Sequence, residues 1–85
     1  MNTDLIYLDH AAATPIDKRV VAAMQPYFSD LFFNPSSPYR PALDVRRDYE
    51  SAKDTIAHAL GTKGDELVMT AGATESINLA FASMT

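Results

Sequence analysis

The chain has 85 residues, of which 47% are hydrophobic and 21% charged, a composition that excludes a disordered tail and allows at most one small domain. Seven basic and eleven acidic side chains give a formal net charge of −4, which argues against nucleic acid as a partner. The absence of cysteine, of an apolar run long enough to span a membrane and of a signal-peptide pattern predicts a cytoplasmic protein with no disulfide and no membrane contact.

The first third of the chain predicts a short strand, a loop and an interrupted helix. Residues 5–8 form a short apolar run with strand character, and the small residues that follow predict an ordered loop over 9–15. Asp17 is suited to cap a first helix, because apolar residues recur at helical spacing after it. Pro26 lacks a backbone donor, so we expect it to kink or split that helix.

A turn-rich segment, 34–38, precedes a long second helix. Its sequence, Asn-Pro-Ser-Ser-Pro, is the strongest helix breaker in the chain. The second helix is expected from about Pro41 to Leu60, with Gly61 as its C-terminal stop. Its apolar residues follow one narrow stripe that we expect to face a core, and they are Ala42, Val45, Tyr49, Ala52, Ile56 and Ala59.

A second strand is predicted over 66–70, after a turn at Gly64-Asp65. Its centre, 67–69, is continuously apolar, which is typical of strands that are covered on both faces in a parallel α/β sheet. Such a sheet needs further strands and crossover helices, and the chain offers only residues 5–8 as another candidate. We therefore expect an α/β parent fold with a mostly parallel sheet, and a mainly helical structure for this segment by itself.

The residues after this strand predict a helix start with an anion site. Gly72 allows the backbone to bend sharply and to approach a ligand, and a helix is expected to open near Ala73. The backbone of Ala73 and Thr74, with the Thr74 hydroxyl, lies where a phosphate meets the unpaired N–H groups of a helix. The alternative interpretation is that Thr74 only caps an ordinary helix, because the segment matches neither a Walker loop nor a dinucleotide fingerprint.

The other polar residues give less specific patterns. His10 lies in a loop of small residues where its ring is able to approach a ligand, although a lone histidine is more often structural. The two histidines are too far apart in sequence for a helix-borne metal pair, and we predict no metal site. Asn34 and the serines after it either bond a substrate or satisfy the backbone of their turn. None of the three lysines has the desolvated setting of a lysine nucleophile, so we predict no catalytic residue in this chain.

Three segments together resemble the motifs of cysteine desulfurases, which belong to the class V aminotransferase group. They occur in the order and at the spacing of that family, and the resemblance covers about residues 5–81. The three segments are Tyr-Leu-Asp-His-Ala-Ala-Ala-Thr-Pro at 7–15, Asn-Pro-Ser-Ser at 34–37, and Glu-Leu-Val-Met-Thr-Ala-Gly-Ala-Thr-Glu-Ser at 66–76 with Asn-Leu-Ala at 78–80. The chain departs from the family pattern at Ala13, Tyr39 and Ala42, which affects details of the substrate side.

The resemblance implies a pyridoxal-phosphate-dependent enzyme of fold type I. Members of the family release sulfur from L-cysteine as an enzyme persulfide, leave L-alanine, and pass the sulfur to acceptor proteins, as in iron–sulfur cluster assembly. The resemblance assigns the cofactor phosphate to Ala73 and Thr74, and it places His10 near the substrate. The family's Schiff-base lysine, its ring-stacking histidine, its aspartate at the pyridine nitrogen and its persulfide cysteine all lie downstream of the matched segment. We therefore expect an N-terminal fragment that has no desulfurase activity alone.

This resemblance sets the expected domain organisation and leaves two alternatives. Residues 1–85 are read as a single incomplete segment, with an extended start and motif loop over 1–15 and the beginning of the large cofactor-binding domain over 16–85. One alternative is a fragment of another class V enzyme, such as an aminotransferase or a selenocysteine lyase. The other is a non-catalytic interaction module, whose apolar stripe and unpaired strand would form the interface of a homodimer or other homo-oligomer.

Overall fold

A computed structural model describes residues 4–84, which divide into two compact units between Phe33 and Asn34. Within residues 4–84 the regular structure is entirely helical, in agreement with the mainly helical segment expected from the sequence. The first unit contains α1 (Lys18–Met24) and α2 (Pro26–Ser29). The second unit contains α3 (Arg40–Ala59), a 3₁₀ turn (Gly64–Glu66) and α4 (Ala73–Ser83).

Local side-chain chemistry fixes the ends of the two helices in the first unit. The Asp17 carboxylate accepts a hydrogen bond from the backbone N–H of Arg19 at 2.8 Å, which confirms Asp17 as the cap of α1. The same carboxylate forms an exposed ion pair with the Arg19 guanidinium at 3.0 Å. Helix α1 ends at Met24 and α2 begins at Pro26, so the proline divides the helix as predicted.

The Asp17 cap makes α1 sensitive to acid. Hydrogen bonds from the Arg19 side chain and backbone lower the pKa of the Asp17 carboxyl below its ordinary value. A group with a lowered folded pKa stabilises the folded form above its unfolded pKa, and this contribution is lost as the pH falls through the folded pKa. We expect the Cα chemical shifts of α1 to lose helical character across that acidic range. In Asp17→Asn the amide oxygen still caps the helix and does not titrate, so an undiminished acid transition in this variant would contradict the assignment.

The second unit is built on α3, which lies within one residue of its predicted bounds at each end. The helix stops because Gly61 adopts a φ of 76°, in the left-handed region that favours glycine. The backbone N–H of Thr62 donates to the Ala57 carbonyl at 2.9 Å, and that of Gly61 donates to the His58 carbonyl at 3.1 Å. This pair of bonds is a Schellman motif, and it confirms Gly61 as the C-terminal stop.

The buried part of α3 differs from the predicted stripe. Ala42 and Val45 are buried as expected, whereas the third buried side chain among the described residues is Ala57, which lies off the stripe. The other four predicted positions are exposed, and they are Tyr49, Ala52, Ile56 and Ala59. The 3₁₀ turn packs on α3 so closely that a Cβ added to Gly64 would overlap with the Asp54 carboxylate, which would have to move. Ala57 shares that helix face with Asp54, so the returning chain covers Ala57.

Two strand predictions are wrong within residues 4–84. Residues 5–8 form no strand, and the segment 66–70 begins in the 3₁₀ turn and continues without a strand partner. Leu67 keeps extended backbone angles, φ −105° and ψ 130°, but its N–H donates locally to the Gly64 carbonyl at 3.2 Å. An extended segment becomes a strand only when a second segment completes the ladder, and none of the described residues supplies one.

Large apolar side chains are exposed in both units. In α4, Ile77 is 56% and Phe81 68% exposed, and this helix packs against no other element of residues 4–84. Val68, in the extended segment before α4, is 69% exposed. Three small buried side chains cannot account for a chain that is 47% hydrophobic. The assignment of residues 16–85 to the beginning of one larger domain stays a prediction.

Candidate phosphate-binding site

Helix α4 begins without a side-chain cap. Gly72 is its N-cap residue, and the Gly72 carbonyl accepts the first helical hydrogen bond from the Ser76 N–H at 3.1 Å. Ala73 and Thr74 are therefore the first two helical residues, as the sequence predicts. The N–H groups at 73, 74 and 75 have no acceptor within residues 4–84. Three neighbouring backbone donors are thus available at one end of an 11-residue helix.

Gly72 does not adopt the sharply bent backbone that the sequence predicts for it. Its backbone is extended, with φ 173° and ψ −178°, which other residues also adopt, so the expected sharp, glycine-dependent bend is absent. A Cβ added at this position would meet nothing within 4 Å. The fold of residues 4–84 therefore does not require a glycine here. The open space beside Gly72 leaves the donors accessible to a ligand.

The Thr74 hydroxyl is a polar group at the start of α4 that makes no hydrogen bond to any described residue. The Thr74 carbonyl accepts a hydrogen bond from the Asn78 Nδ2 group at 2.8 Å, but the Thr74 hydroxyl has no partner within residues 4–84. A threonine at the second helical position carries its hydroxyl beside the free N–H groups of the first turn. The backbone donors and this hydroxyl are the set that a phosphate accepts hydrogen bonds from at a helix N-terminus.

Glu75 bonds the turn and leaves the helix donors free. Its carboxylate accepts a hydrogen bond from the Ala71 N–H at 3.1 Å, one residue before the N-cap. A carboxylate in the first turn is stabilised by the positive end of the helix dipole. No lysine or arginine lies between Gly64 and Met84, so this segment attracts a phosphate through its helix dipole and not through a basic side chain. The site therefore fits the phosphate group but holds only part of what would neutralise it.

Tyr7 fixes the loop that carries His10 in the first unit. The Tyr7 hydroxyl lies 2.8 Å from the Asp9 carbonyl and 2.7 Å from the Ala13 carbonyl, so it bridges the two sides of the loop. The Asp9 carbonyl also accepts a hydrogen bond from the Ala12 N–H at 3.0 Å. The His10 ring is exposed and contacts the Tyr7 ring edge to face, with centroids 4.9 Å apart. The predicted ordered loop is confirmed, with His10 on its surface.

The Asn34 side chain serves its own turn. Its Oδ1 atom accepts a hydrogen bond from the Ser36 N–H at 2.9 Å, and its carbonyl accepts one from the Ser37 N–H at 3.0 Å. This is an Asx turn, in which a side chain takes the place of a backbone acceptor. Of the two interpretations of this loop, the structure therefore favours a turn residue for Asn34.

Two features of the site were not predicted. One is the Glu75 bond to the Ala71 N–H, and the other is the pair of hydroxyls on Thr70 and Ser76, whose oxygens are 2.5 Å apart. The signal for Glu75 is its place at the third helical position, where a carboxylate reaches back past the N-cap. The hydroxyl pair joins residues six apart, a spacing that no simple helix or strand period marks.

The lysines, the histidines and the acidic side chains form no further candidate site among the described residues. Lys18 and Lys63 are exposed and Lys53 is half-buried on α3. Among residues 4–84, no group of three or more histidine and acidic side chains is arranged to hold a metal ion. No helix in that range has the length and apolar character needed to cross a membrane.

Comparison with known proteins agrees with the motif resemblance. The cysteine desulfurase IscS of Dictyoglomus turgidum is 45% identical over 75 residues, which is 88% of this chain and 19% of that protein. The cysteine desulfurase of a Frankia species is 46% identical over 76 residues, 89% of this chain and 18% of that protein. The IscS protein of Rickettsia bellii is 42% identical over 87 residues, 94% of this chain and 21% of that protein. No solved structure matches the chain significantly.

The chain spans about one fifth of the length of the curated relatives it matches. The model of the class-V aminotransferase family matches residues 6–85, which is nearly the whole chain. This match includes all three motif segments, the Tyr7 loop, the Asn34 turn and the start of α4. The resemblance to cysteine desulfurases is thereby confirmed, and the chain belongs to the class-V aminotransferase family.

Proposed function

We propose that this chain is the N-terminal segment of a pyridoxal-phosphate-dependent cysteine desulfurase and that it contributes part of the grip on the cofactor phosphate. The observation that carries this proposal is the start of α4, where three free N–H groups and the Thr74 hydroxyl adjoin open space. The relatives named cysteine desulfurase support the choice of reaction.

Each residue of the site has a definite task in this proposal. The N–H groups of Ala73 and Thr74 and the Thr74 hydroxyl donate to the phosphate oxygens, and the helix dipole favours the negative charge. Pyridoxal phosphate, when bound, supplies the electron sink for chemistry at the α-carbon of the substrate. The chain itself binds and orients the phosphate end, and it has no cysteine to carry sulfur.

The remaining roles extend the same proposal to the parent protein. The substrate is L-cysteine, the product is L-alanine, and the sulfur passes to acceptor proteins in a cytoplasmic homo-oligomer. His10 lies in the exposed loop that Tyr7 fixes, so its ring is accessible to a substrate. The lysine that binds the cofactor and the cysteine that takes the sulfur belong to parts of the parent outside these residues.

The phosphate site is testable by NMR titration of the 85-residue chain. Pyridoxine 5′-phosphate is the suitable probe, since it has the cofactor's phosphate but no aldehyde to react with the lysines. We expect the amide signals of Ala73, Thr74 and Glu75 to shift together on addition of the phosphate ester. Pyridoxine without phosphate is the matched control and is expected to leave them in place. Equal shifts with both compounds, or none with either, would contradict the phosphate assignment.

The chain alone is expected to have no desulfurase activity. It contains no cysteine for the sulfur transfer, and none of its lysines is fully buried. Purified chain incubated with L-cysteine and pyridoxal phosphate is expected to give no more sulfide than a protein-free control. Sulfide above that control, in proportion to the protein concentration, would overturn the assignment of the catalytic groups to other parts of the parent.

A non-catalytic interaction module is the second candidate, and the exposed apolar surface favours it. Ile77 and Phe81 on α4 and Val68 before it are each more than half exposed. Ile77 and Phe81 are four residues apart and share one face of α4, and an exposed apolar patch is typical of an interface. Sedimentation velocity tests this candidate, because a module that associates is expected to sediment as a dimer or larger species. A well-behaved monomer with sharp thermal unfolding would exclude this second candidate.

A further inference from the structure

Two hydroxyl groups meet at the turn before α4. The oxygens of Thr70 and Ser76 are 2.5 Å apart, and each lies 3.2 Å from the Gly72 carbonyl oxygen. The same carbonyl accepts the Ser76 backbone N–H at 3.1 Å. Thr70 ends the extended segment and Ser76 lies in the first turn of α4, so this cluster connects the two.

Proton counting shows how the cluster is held. Each hydroxyl has one proton to donate, so the two hydroxyls cannot make three donations. When Thr70 donates to Ser76, Ser76 donates to the Gly72 carbonyl, and the reverse arrangement is equally complete. In both cases one hydroxyl bonds the other, and the second bonds the carbonyl. Removing one hydroxyl leaves the other within 3.2 Å of the carbonyl and free to donate to it, so the carbonyl loses its hydroxyl donor only when both are removed.

The Gly72 carbonyl is linked rigidly to a donor of the phosphate site. The carbonyl of Gly72 and the N–H of Ala73 belong to one planar peptide group and point in opposite directions. A cluster that fixes the carbonyl therefore also fixes the direction of the Ala73 N–H. The Ser76 backbone N–H already holds this carbonyl, and the two hydroxyls add a second restraint at a glycine that has no side chain to restrict its peptide plane.

We propose that Thr70 and Ser76 are positioning residues that aim the Ala73 N–H at the phosphate. This inference rests on the proposed function of the α4 start as a phosphate site. Neither side chain needs to touch the ligand, because both act through the Gly72 peptide plane. Donors held in place before binding raise affinity, since less freedom is lost when the ligand arrives.

The experiment uses isosteric and conservative variants of the 85-residue chain. Thr70→Val and Ser76→Ala each remove one hydroxyl, the double variant removes both, and Thr70→Ser restores a hydroxyl at position 70. Ser83→Ala is the matched control, since the Ser83 hydroxyl bonds the Ala80 carbonyl at 2.8 Å near the other end of α4. Titration with pyridoxine 5′-phosphate, followed at the Ala73 and Thr74 amides, gives the affinity, and circular dichroism gives the helix content.

The expected result is a loss of phosphate affinity without a loss of helix. Each single variant is expected to bind at most about threefold more weakly, because the remaining hydroxyl still donates to the Gly72 carbonyl. The double variant, which leaves the carbonyl no hydroxyl donor, is expected to bind roughly three- to tenfold more weakly, while Thr70→Ser and Ser83→Ala keep the affinity of the unaltered chain. In the absence of ligand, the Ser76 amide is expected to exchange faster in the double variant than in the unaltered chain, because its acceptor carbonyl has lost both hydroxyls.

The outcomes separate this inference from the function on which it rests. If the unaltered chain binds the phosphate ester and the double variant binds it equally well, the positioning role is wrong and the phosphate site stands. If the loss in the double variant is no larger than the sum of the two single losses, the hydroxyls do not substitute for one another and the shared-cluster inference is wrong. If the unaltered chain does not respond to the phosphate ester, both the site and the positioning role are overturned.

Discussion

Ala57→Asp is expected to unfold the second unit, whereas Ala59→Asp is expected to leave it folded. The Ala57 side chain is fully buried where the 3₁₀ turn packs on α3, while Ala59 is exposed two residues later. A buried carboxylate with no partner costs on the order of 3–5 kcal/mol. A unit whose described residues bury only three small side chains has no comparable reserve.

The two alanine positions make this comparison a controlled one. Both substitutions place the same residue in the last turn of α3, so both carry the same helix-propensity cost and the same unfavourable charge at the helix C-terminus. Only the burial differs. Amide NMR spectra and circular dichroism at 222 nm measure the result, with dispersed signals from α3 retained in Ala59→Asp and lost in Ala57→Asp. Equal effects of the two changes would show that Ala57 is not part of a core.

The sequence predicts helix ends well because their chemistry is local. Asp17 caps α1 through a bond to a residue two positions away, and Pro26 divides the helix through its missing N–H. Gly61 stops α3 through its own left-handed backbone. Each of these effects depends on residues within one turn, so a single sequence contains the whole cause.

The buried surface was harder to predict because it depends on what covers it. The prediction of a buried stripe on α3 assumes that another element packs along its full length. Within residues 4–84 only Ala42 and Val45 of that stripe are buried. Ala57 is buried by the chain that returns after Gly61, and a helical period does not contain this information. The predicted strand at 66–70 fails for the same reason, because its ladder needs a second segment.

The candidate site also has a part that local sequence predicts and a part that depends on the path of the folded chain. The first two residues of α4 follow from the local pattern, since a helix start after a small turn residue is visible in the sequence. The motif order then identifies a phosphate as the expected ligand, which the helix start alone does not. The hydroxyl pair of Thr70 and Ser76 was missed because it depends on the actual path of the turn, and in that turn Gly72 is extended rather than sharply bent.

Ala73→Pro is expected to weaken phosphate binding strongly while α4 stays intact. Ala73 is the first helical residue, where proline is favoured because the N–H has no acceptor in the helix. The preceding Gly72 is already extended, as a residue before proline must be. The change therefore removes one donor of the proposed site and leaves the first helical bond, from Ser76 to Gly72, in place.

The expected loss is large because the missing bond goes to a charged ligand. A hydrogen bond to an ionised group contributes about 1.5–3 kcal/mol, so the affinity for pyridoxine 5′-phosphate is expected to fall roughly 10- to 100-fold. Ala73→Ser is the matched control, since it changes the side chain at the same position and keeps the N–H. Circular dichroism is expected to show equal helix content in both variants. If Ala73→Pro keeps its helix and binds the phosphate ester as well as Ala73→Ser does, the Ala73 N–H is not a phosphate donor, and the grip must come from Thr74 and the donors after it.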